Sequence, residues 1–246
     1  MAELRSLSLP AVLAAAALLS GCGADDPAAP RGTLMLMFEE QEEGGDPYQT
    51  RVLVNDEFVR LDEGGDGTDF VLLNRQMQTI YSVSHANRTV LVVHSKPLNG
   101  EPPLPLRMDA RRAEHPDAPA IEDKQPVEYS LLVNDETCSR VMVVPDFLEQ
   151  GVEGLREFRR ALAGQHAENL PKTPVEMLDP CFVAYHVYAP VRHLQYGFPL
   201  RQWDRDGNTR TLVNYQREFE SAADAFSLPE SYQRMGMSGG EAPPDA

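Results

Sequence analysis

The stretch at 70–95, FVLLNRQMQTIYSVSHANRTVLVVHS, constrains the fold more than any other part of the chain. Short runs of β-branched and aromatic residues alternate in it with polar turn residues, a pattern typical of an antiparallel meander. Strands are predicted at 70–73, 79–83 and 89–93, with separating segments short enough for hairpins. The third strand is apolar on both faces, so we expect another part of the chain to cover its second side.

Similar patterns extend the meander in both directions. Turn signals recur about every ten residues between Asn55 and Asn87, which favours a barrel, a half-barrel or a sandwich. Asn55 and the two residues after it have the chemistry of a hairpin turn. The further predicted strands lie at 33–38, 51–54, 58–61, 127–134, 138–144, 199–203 and 209–219.

A helix is predicted after the hairpin at 127–144. Asp146 has the sequence context of an N-cap, with Glu149 as its capping-box partner. Gly164 is a candidate C′ residue, which predicts that the helix ends there. Apolar residues between these ends recur at spacings of three or four and so share one face. They are Leu148, Val152, Leu155, Phe158 and Leu162.

A second helical region is predicted between this helix and the last hairpin. Thr173 and Glu176 have the spacing of a capping box, and the pair Asp179-Pro180 is able to restart a helix. An apolar stripe follows at helical spacing. It consists of Val183, Val187, Val191 and Leu194.

Residues 1–21 have the pattern of a signal peptide. Arg5 supplies a positive charge, and the apolar run at 7–19 is too short to span a bilayer as a helix. The sequence Leu-Ser-Gly-Cys at 19–22 then resembles the bacterial lipobox, in which the cysteine is lipidated and becomes the first residue of the mature chain. The resemblance implies a diacylglycerol thioether on Cys22, and more than one acyl chain gives lasting attachment.

The alternative for this segment is an ordinary secretory signal followed by a chance cysteine. Gly23 follows Cys22 in place of the aspartate that retains lipoproteins in the inner membrane of enteric bacteria, which favours the outer membrane. We therefore expect a lipid-anchored protein of the outer membrane that faces the periplasm, with residues 22–32 as a flexible tether.

A single β-rich domain is expected at 33–232. About 225 residues remain after the signal peptide, which also fits two small domains. The Pro-rich segment at 97–126 breaks the strand pattern and is expected to be an insertion, either a long ordered loop or a disordered one. Within it, 104–108 has the pattern of an edge strand. Residues 233–246 are expected to form a disordered tail.

The chain carries a formal net charge of −16, which disfavours nucleic acid and anionic headgroups as partners of its surface. Cys138 and Cys181 are the cysteines left once Cys22 is acylated. Two cysteines in an oxidising compartment most simply pair, so we predict a disulfide, with two buried thiols as the alternative. Neither lies in a Cys-x-x-Cys motif, which argues against a metal or redox role.

Other polar clusters have simpler explanations than catalysis. Asp179, His186 and His193 are spaced seven apart, whereas metal sites on one helix use spacings of three or four. Ser84 and His85 are neighbours in a strand, where successive side chains point apart. No metal, cofactor or catalytic residue is therefore predicted, and we expect no enzyme.

Two more patterns have competing interpretations. Asp204, Asp206 and Asn208 alternate like calcium ligands, but the rest of an EF-hand loop is missing, so a hairpin turn is preferred. A group of aromatic residues in the C-terminal third suits either an apolar pocket or packing between helix and sheet, and packing is preferred. The group is Tyr185, Tyr188, Tyr196, Phe198 and Trp203.

The combined pattern resembles the uncharacterised bacterial lipoprotein domains related to the Lol carrier and receptor of outer-membrane lipoproteins. The features are the lipobox, the meander, the helix, the motif Gly-Phe-Pro-Leu at 197–200 and a late Phe226-x-x-Pro229-x-x-Tyr232. The resemblance implies an α+β fold, a curved antiparallel β-sheet (half-barrel) with helices packed on its open, concave side. That fold holds acyl chains inside, and no ligand-binding residue of the Lol proteins matches a position here.

We therefore expect a non-enzymatic envelope protein that binds an apolar or amphipathic ligand, a lipid or an acyl chain, in a half-barrel cavity. The alternative is a protein-interaction or structural module of the envelope that uses its sheet edge or Pro-rich segment.

Overall fold

Hairpins build most of the sheet, because short strands of β-branched and aromatic residues follow one another across tight turns. The computed structural model describes residues 32–65, 67–114 and 118–237. Cys22, the predicted signal peptide and residues 238–246 lie outside these ranges. The strands are β1 (Leu34–Gln41), β2 (Tyr48–Val54), β3 (Phe58–Asp62), β4 (Phe70–Asn74), β5 (Thr79–Ser84), β6 (Thr89–His94), β7 (Met108–Glu114), β8 (Val127–Val133), β9 (Glu136–Val144), β10 (Phe198–Asp204), β11 (Thr209–Gln216) and β12 (Gln233–Gly236).

The strands form one open sheet in the order β12-β6-β5-β4-β3-β2-β1-β11-β10-β9-β8-β7. Neighbouring strands are antiparallel except for β12 and β6, which are parallel. Two helices, α1 (Glu149–Asn169) and α2 (Pro180–Val183), pack on the sheet. The predicted α+β half-barrel with helices on its open side is confirmed.

Helix α1 lies very close to the sheet because glycines face the strands. A Cβ atom added to Gly154 would lie 2.7 Å from Cγ1 of Val54. Val152 and Leu155 are buried in the largest core cluster, against residues of β1 to β3, and the predicted apolar stripe is confirmed. No helix within the described ranges is both long and apolar enough to cross a membrane.

Both ends of α1 differ from the prediction. Leu148, not Asp146, is the N-cap, and it adopts the left-handed conformation with φ 45° and no capping side chain. Gly164 does not end the helix, which continues to Asn169. Gly164 is a glycine because an added Cβ would overlap the backbone carbonyl of Lys96. A close packing contact therefore explains the residue that looked like a helix terminator.

The C-terminal segment covers the second side of the β4–β6 meander, as the apolar pattern required. Phe226, Leu228 and Tyr232 pack on the sheet face opposite the main core. The rings of Phe58 and Phe226 stack with centroids 5.8 Å apart. The predicted tail beginning at 233 is wrong for its first residues, since Gln233–Gly236 pairs with the free edge of β6 as β12.

Part of the Pro-rich segment belongs to the sheet. Met108–Glu114 forms the edge strand β7 and pairs with β8. The edge strand predicted at 104–108 starts too early, because Pro105 has no N–H group to donate to a neighbouring strand. Leu106 instead packs against the cluster around the two cysteines.

We predict that Gly164→Ala destabilises the protein by about 1–3 kcal/mol, because the added methyl group meets backbone that cannot rotate away. The free energy of unfolding, obtained from urea titration followed by circular dichroism, measures the effect. Gly45→Ala is the matched control, since its added Cβ would lie 3.5 Å from the nearest atom, an ordinary contact. Equal free energies for the two variants would contradict the packing argument.

Candidate functional site

A cavity of about 350 Å³ lies between the sheet and the helices. A row of directly paired residues forms its sheet side: Glu40 in β1, Arg210 in β11, Gln202 in β10 and Val141 in β9. Directly paired residues in neighbouring strands leave the same face of a sheet. These four side chains therefore all face the helices.

The helical wall of the cavity starts at Asp179. Its carboxylate accepts hydrogen bonds from two backbone N–H groups in the first turn of α2, so the predicted helix start is confirmed. The capping box predicted at Thr173 does not form, and only a single turn, Val175–Met177, follows it. After α2 the chain continues as a π-helical turn, Ala184–Tyr188. Such turns are frequent at functional sites.

The predicted disulfide between Cys138 and Cys181 is confirmed, and it lines the cavity. Thr137 lies opposite Leu132 and Ser139 lies opposite Leu131, so Cys138 has no partner residue in β8. A bulge of this kind re-aims a side chain. The bridged cysteines are 43 positions apart, and closing such a loop stabilises the fold by roughly 4 kcal/mol in the chain-entropy model.

Arg210 and His193 each leave a buried nitrogen without a hydrogen-bond partner in the described part of the chain. The guanidinium of Arg210 lies 4.0 Å from the centroid of the Phe38 ring, and its Nε lies 3.7 Å from Oε1 of Glu40. Its Nη2 has no partner. His193 is only 4% exposed, and its Nδ1 is unpaired. Buried polar atoms are normally bonded, so these two nitrogens are candidate positions for contacting a ligand.

Arg159 of α1 brings a second guanidinium to the cavity. Its Nη2 donates a hydrogen bond to the hydroxyl of Tyr185 at 3.0 Å, and its Cζ lies 5.0 Å from that ring's centroid. The Tyr185 hydroxyl in turn donates to Oε1 of Gln202 at 3.4 Å. Arg159 has no carboxylate partner within the described ranges.

Burial and these cations depress the pKa values of the nearby histidines. Burial, with contributions from the charges of Arg159 and His166, lowers the pKa of His186 to about 4. Burial also lowers the pKa of His193 well below its ordinary value, and Arg159 and Arg210 add to the effect. Burial and Arg159 lower the pKa of His166. The three imidazoles are therefore neutral at pH 7.

Carboxylates beside the cavity already have cationic or backbone N–H partners. Glu40 faces Arg210. Asp179 caps α2 and also pairs with Arg205 at 2.8 Å. The cavity therefore combines carboxylates that already have partners, guanidinium nitrogens that lack one among the described residues, and neutral imidazoles. This combination is suited to binding an anion.

The structure explains the acidic pattern at 204–208 as a turn. Oδ1 of Asp204 accepts hydrogen bonds from the backbone N–H groups of Asp206 and Asn208, and Oδ2 accepts one from the Asn208 amide. Asp179, His186 and His193 all border the cavity, but within the described ranges no three His, Cys, Asp or Glu side chains are placed so that they could hold a metal ion.

The aromatic residues do not form one pocket, so the packing interpretation holds for most of them. Tyr185 lines the cavity, but Phe198 is buried in the main core and Tyr196 stacks on Tyr129 with centroids 3.9 Å apart. Trp203 borders the cavity but follows Gln202 in β10, so its ring leaves the opposite face, beside Arg201.

Three charged residues of the site were missed from sequence. Arg159 lies off the apolar stripe of its helix, and Glu40 lies beyond the predicted end of the first strand. The inward position of Arg210 was predictable, because Arg210 shares a strand face with Leu212, which packs against the main core. An arginine at an inward-facing strand position marks a buried cation.

No protein-family model and no curated protein matches the chain. An uncharacterized conserved protein from Thermus thermophilus is structurally similar over 84% of this chain and 91% of its own, with 10% identity and a TM-score of 0.40. PNGF-II is similar over 84% of this chain, with 8% identity and a TM-score of 0.37, and the chain spans 32% of its length.

MucB is similar over 82% of this chain, with 10% identity and a TM-score of 0.38, and the chain spans 59% of its length. MucB in its complex with MucA from Pseudomonas aeruginosa gives a TM-score of 0.37. All of these TM-scores are below 0.5, and all of these identities are 10% or less. They do not establish the family that the sequence resembles.

We predict that the protein loses stability as the pH falls from about 6.5 to about 4. His186 titrates near 4 in the folded state but near 6.5 when unfolded, so the unfolded state binds more protons in this window. Its contribution is fully present above pH 6.5 and is lost as the pH falls through the folded pKa. His166 and His193 act in the same direction.

Urea midpoints across this pH window, compared between the wild type and His186→Phe, measure the contribution. The aromatic replacement retains contact with the Phe182 ring, which lies 4.5 Å from that of His186, but takes up no proton. We expect the variant to lose less stability on acidification. An identical pH dependence in both proteins would show that His186 is not titrating as described.

Proposed function

We propose that this protein is a non-catalytic, lipid-anchored envelope protein that binds a small amphipathic ligand in the cavity. The observation that carries the proposal is the mixed lining of the cavity. Its sheet row is polar around Arg210 and Gln202, whereas Val141, Phe182 and the disulfide provide apolar surface. A ligand with one polar end and one apolar end matches such a lining.

The size of the cavity narrows the class of ligand. Its volume of about 350 Å³ is at the small end of the roughly 300–1,000 Å³ of small-molecule pockets. Much of the concave face is already filled by α1, whose Gly151 and Gly154 lie against β1 to β3. The ligand is therefore a short-chain amphiphile or one end of a larger lipid, not a whole phospholipid.

Phe182 is the most accessible apolar contact for such a ligand. Its side chain is 44% exposed although it borders the cavity. An exposed aromatic ring loses water contact when an alkyl chain covers it, which favours binding.

The anchor is the acyl group that the lipobox-like sequence places on Cys22, and Gly23 supports the outer membrane as its location. This arrangement tethers the cavity close to a membrane, which is a source of amphipathic molecules.

A second candidate function is protein binding through β7. This strand is an edge of the described sheet, and nearly all its side chains are exposed. An open edge offers unpaired backbone groups to a strand from another protein. A partner that binds β7 and leaves ligand binding unchanged would support this function alongside the first.

We predict that Cys22 carries the lipid. Metabolic labelling with radioactive palmitate should label the full-length chain and place it in the membrane fraction, and Cys22→Ala should remove both properties. The double variant Cys138→Ala/Cys181→Ala is the control and should keep the label. Labelling of Cys22→Ala at the wild-type level would contradict the proposed anchor.

We predict that a short-chain amphiphile binds the cavity saturably. Hexyl phosphate and hexyl glucoside are suitable probes for titration calorimetry of the full-length chain in phosphatidylcholine vesicles. At least one should bind, and Phe182→Ala should weaken it several-fold through lost apolar contact. Val213→Ala is the control, because Val213 is 48% exposed and outside the cavity lining. Absence of saturable heat with both probes would contradict the proposed function.

A further inference from the structure

We infer that the inner end of the cavity binds an oxyanion, a carboxylate or a phosphate monoester, through Arg159, Arg210 and His193. The inference rests on the proposed function, since it identifies the polar end of the amphipathic ligand.

Arg210 is the central donor of the inferred site. Phe38 lies against its guanidinium, and Glu40 is 3.7 Å from Nε, which leaves Nη2 buried and unpaired. A buried charged donor without a partner is costly, and an oxyanion that accepts its N–H removes that cost. The planar guanidinium also matches the geometry of carboxylate and phosphate groups.

Arg159 supplies the second positive charge from the opposite wall. Its contact with Tyr185, whose hydroxyl reaches Gln202 beside Arg210 in the paired row, brings the two guanidinium groups to the same cavity. Burial lowers the pKa of Arg210, and the positive charge of Arg159 adds to the effect, as expected for two cations that repel each other in one cavity. An anion between them relieves this repulsion.

His193 adds a neutral hydrogen-bonding group. It is almost fully buried, and its unpaired Nδ1 is able to donate when the imidazole carries its proton on that atom. A neutral imidazole adds a directional hydrogen bond without another charge. The Tyr185 ring lies beside it, with centroids 5.2 Å apart.

The local charge of the site differs from that of the whole molecule. The chain carries a net charge of −16, yet Arg159 and Arg210 face one carboxylate, Glu40, at this end of the cavity. Arg205 is the partner of the neighbouring acids, including Asp179. The acidic surface therefore disfavours polyanions and anionic surfaces, while the cavity accepts a single small anion.

The test compares three probes by titration calorimetry on the full-length chain in phosphatidylcholine vesicles: hexyl phosphate, hexyl glucoside and inorganic phosphate. Hexyl phosphate should bind about tenfold or more tightly than hexyl glucoside. Arg159→Gln should remove that preference with little change for hexyl glucoside, and Arg159→Lys should restore part of it.

Arg160→Gln is the matched control, because Arg160 is one position away on the same helix but exposed. It changes the net charge equally and should leave the preference intact. The double variant Glu40→Gln/Arg210→Gln removes both members of this partly buried ion pair and should also abolish the preference. It provides an independent test if Arg159→Gln does not fold.

The outcomes separate this inference from the proposed function. Equal binding of the two hexyl probes, or equal effects of Arg159→Gln and Arg160→Gln, would overturn the oxyanion site and leave amphiphile binding in place. Inorganic phosphate binding as tightly as hexyl phosphate would support the oxyanion site and overturn the need for an apolar tail. Absence of binding by all three probes would overturn both.

Discussion

The pairing of β1 with β11 holds the two halves of this sheet together. On one side, β1 to β6 follow one another as hairpins, and on the other β7 to β11 form a second antiparallel series. The junction pairs Met35 with Gln216, residues from opposite ends of the described chain. Such a contact requires closure of a very long loop, so it forms only when distant parts of the chain have come together. The cavity depends on the same junction, because Glu40 and Arg210 are partners in it.

Short-range sequence patterns were sufficient to predict the elements whose structure depends only on neighbouring residues. The hairpins around Asn55 and Asp204, and the apolar stripe of α1, were all predicted, because turn chemistry and periodicity act over a few residues. Gly164 and the strand Gln233–Gly236 were misread. Position 164 requires a glycine because the backbone carbonyl of Lys96, which is distant in sequence, lies against it. The strand Gln233–Gly236 forms because the edge of β6 is available for pairing.

The candidate site was less predictable for the same reason. Its donors come from α1, from the segment after α2 and from β11, and nothing in the spacing of Arg159, His193 and Arg210 shows that they meet. Only the disulfide was found beforehand, since few cysteines leave few ways to pair. The sequence alone therefore predicts the scaffold and the disulfide. The residues that meet in the cavity are identified only once the long-range strand pairing is known.

A second buried charge cluster shows what a purely structural one looks like. Asp62 accepts hydrogen bonds from Arg51 at 2.8 Å, from Arg60 at 2.6 Å and from the N–H of Gly64. Burial alone would raise the pKa of Asp62, but these bonds outweigh it and lower the pKa. Arg60 also donates to the carbonyl of Ala225, which holds the C-terminal segment. The charged groups of this cluster are hydrogen-bonded to one another and to the backbone, in contrast with the unpaired nitrogens of the cavity.

The parallel strand β12 has a consequence for how the protein folds. The meander β1 to β6 precedes the other described strands in the chain, and by itself it has an apolar outer face and an unpaired edge on β6. The residues that cover them, from Phe226 to the end of β12, come much later in the chain, after α1 and β11. Until those residues dock, the first half exposes an apolar face and a free strand edge, which are the features that make a partly folded chain prone to aggregate.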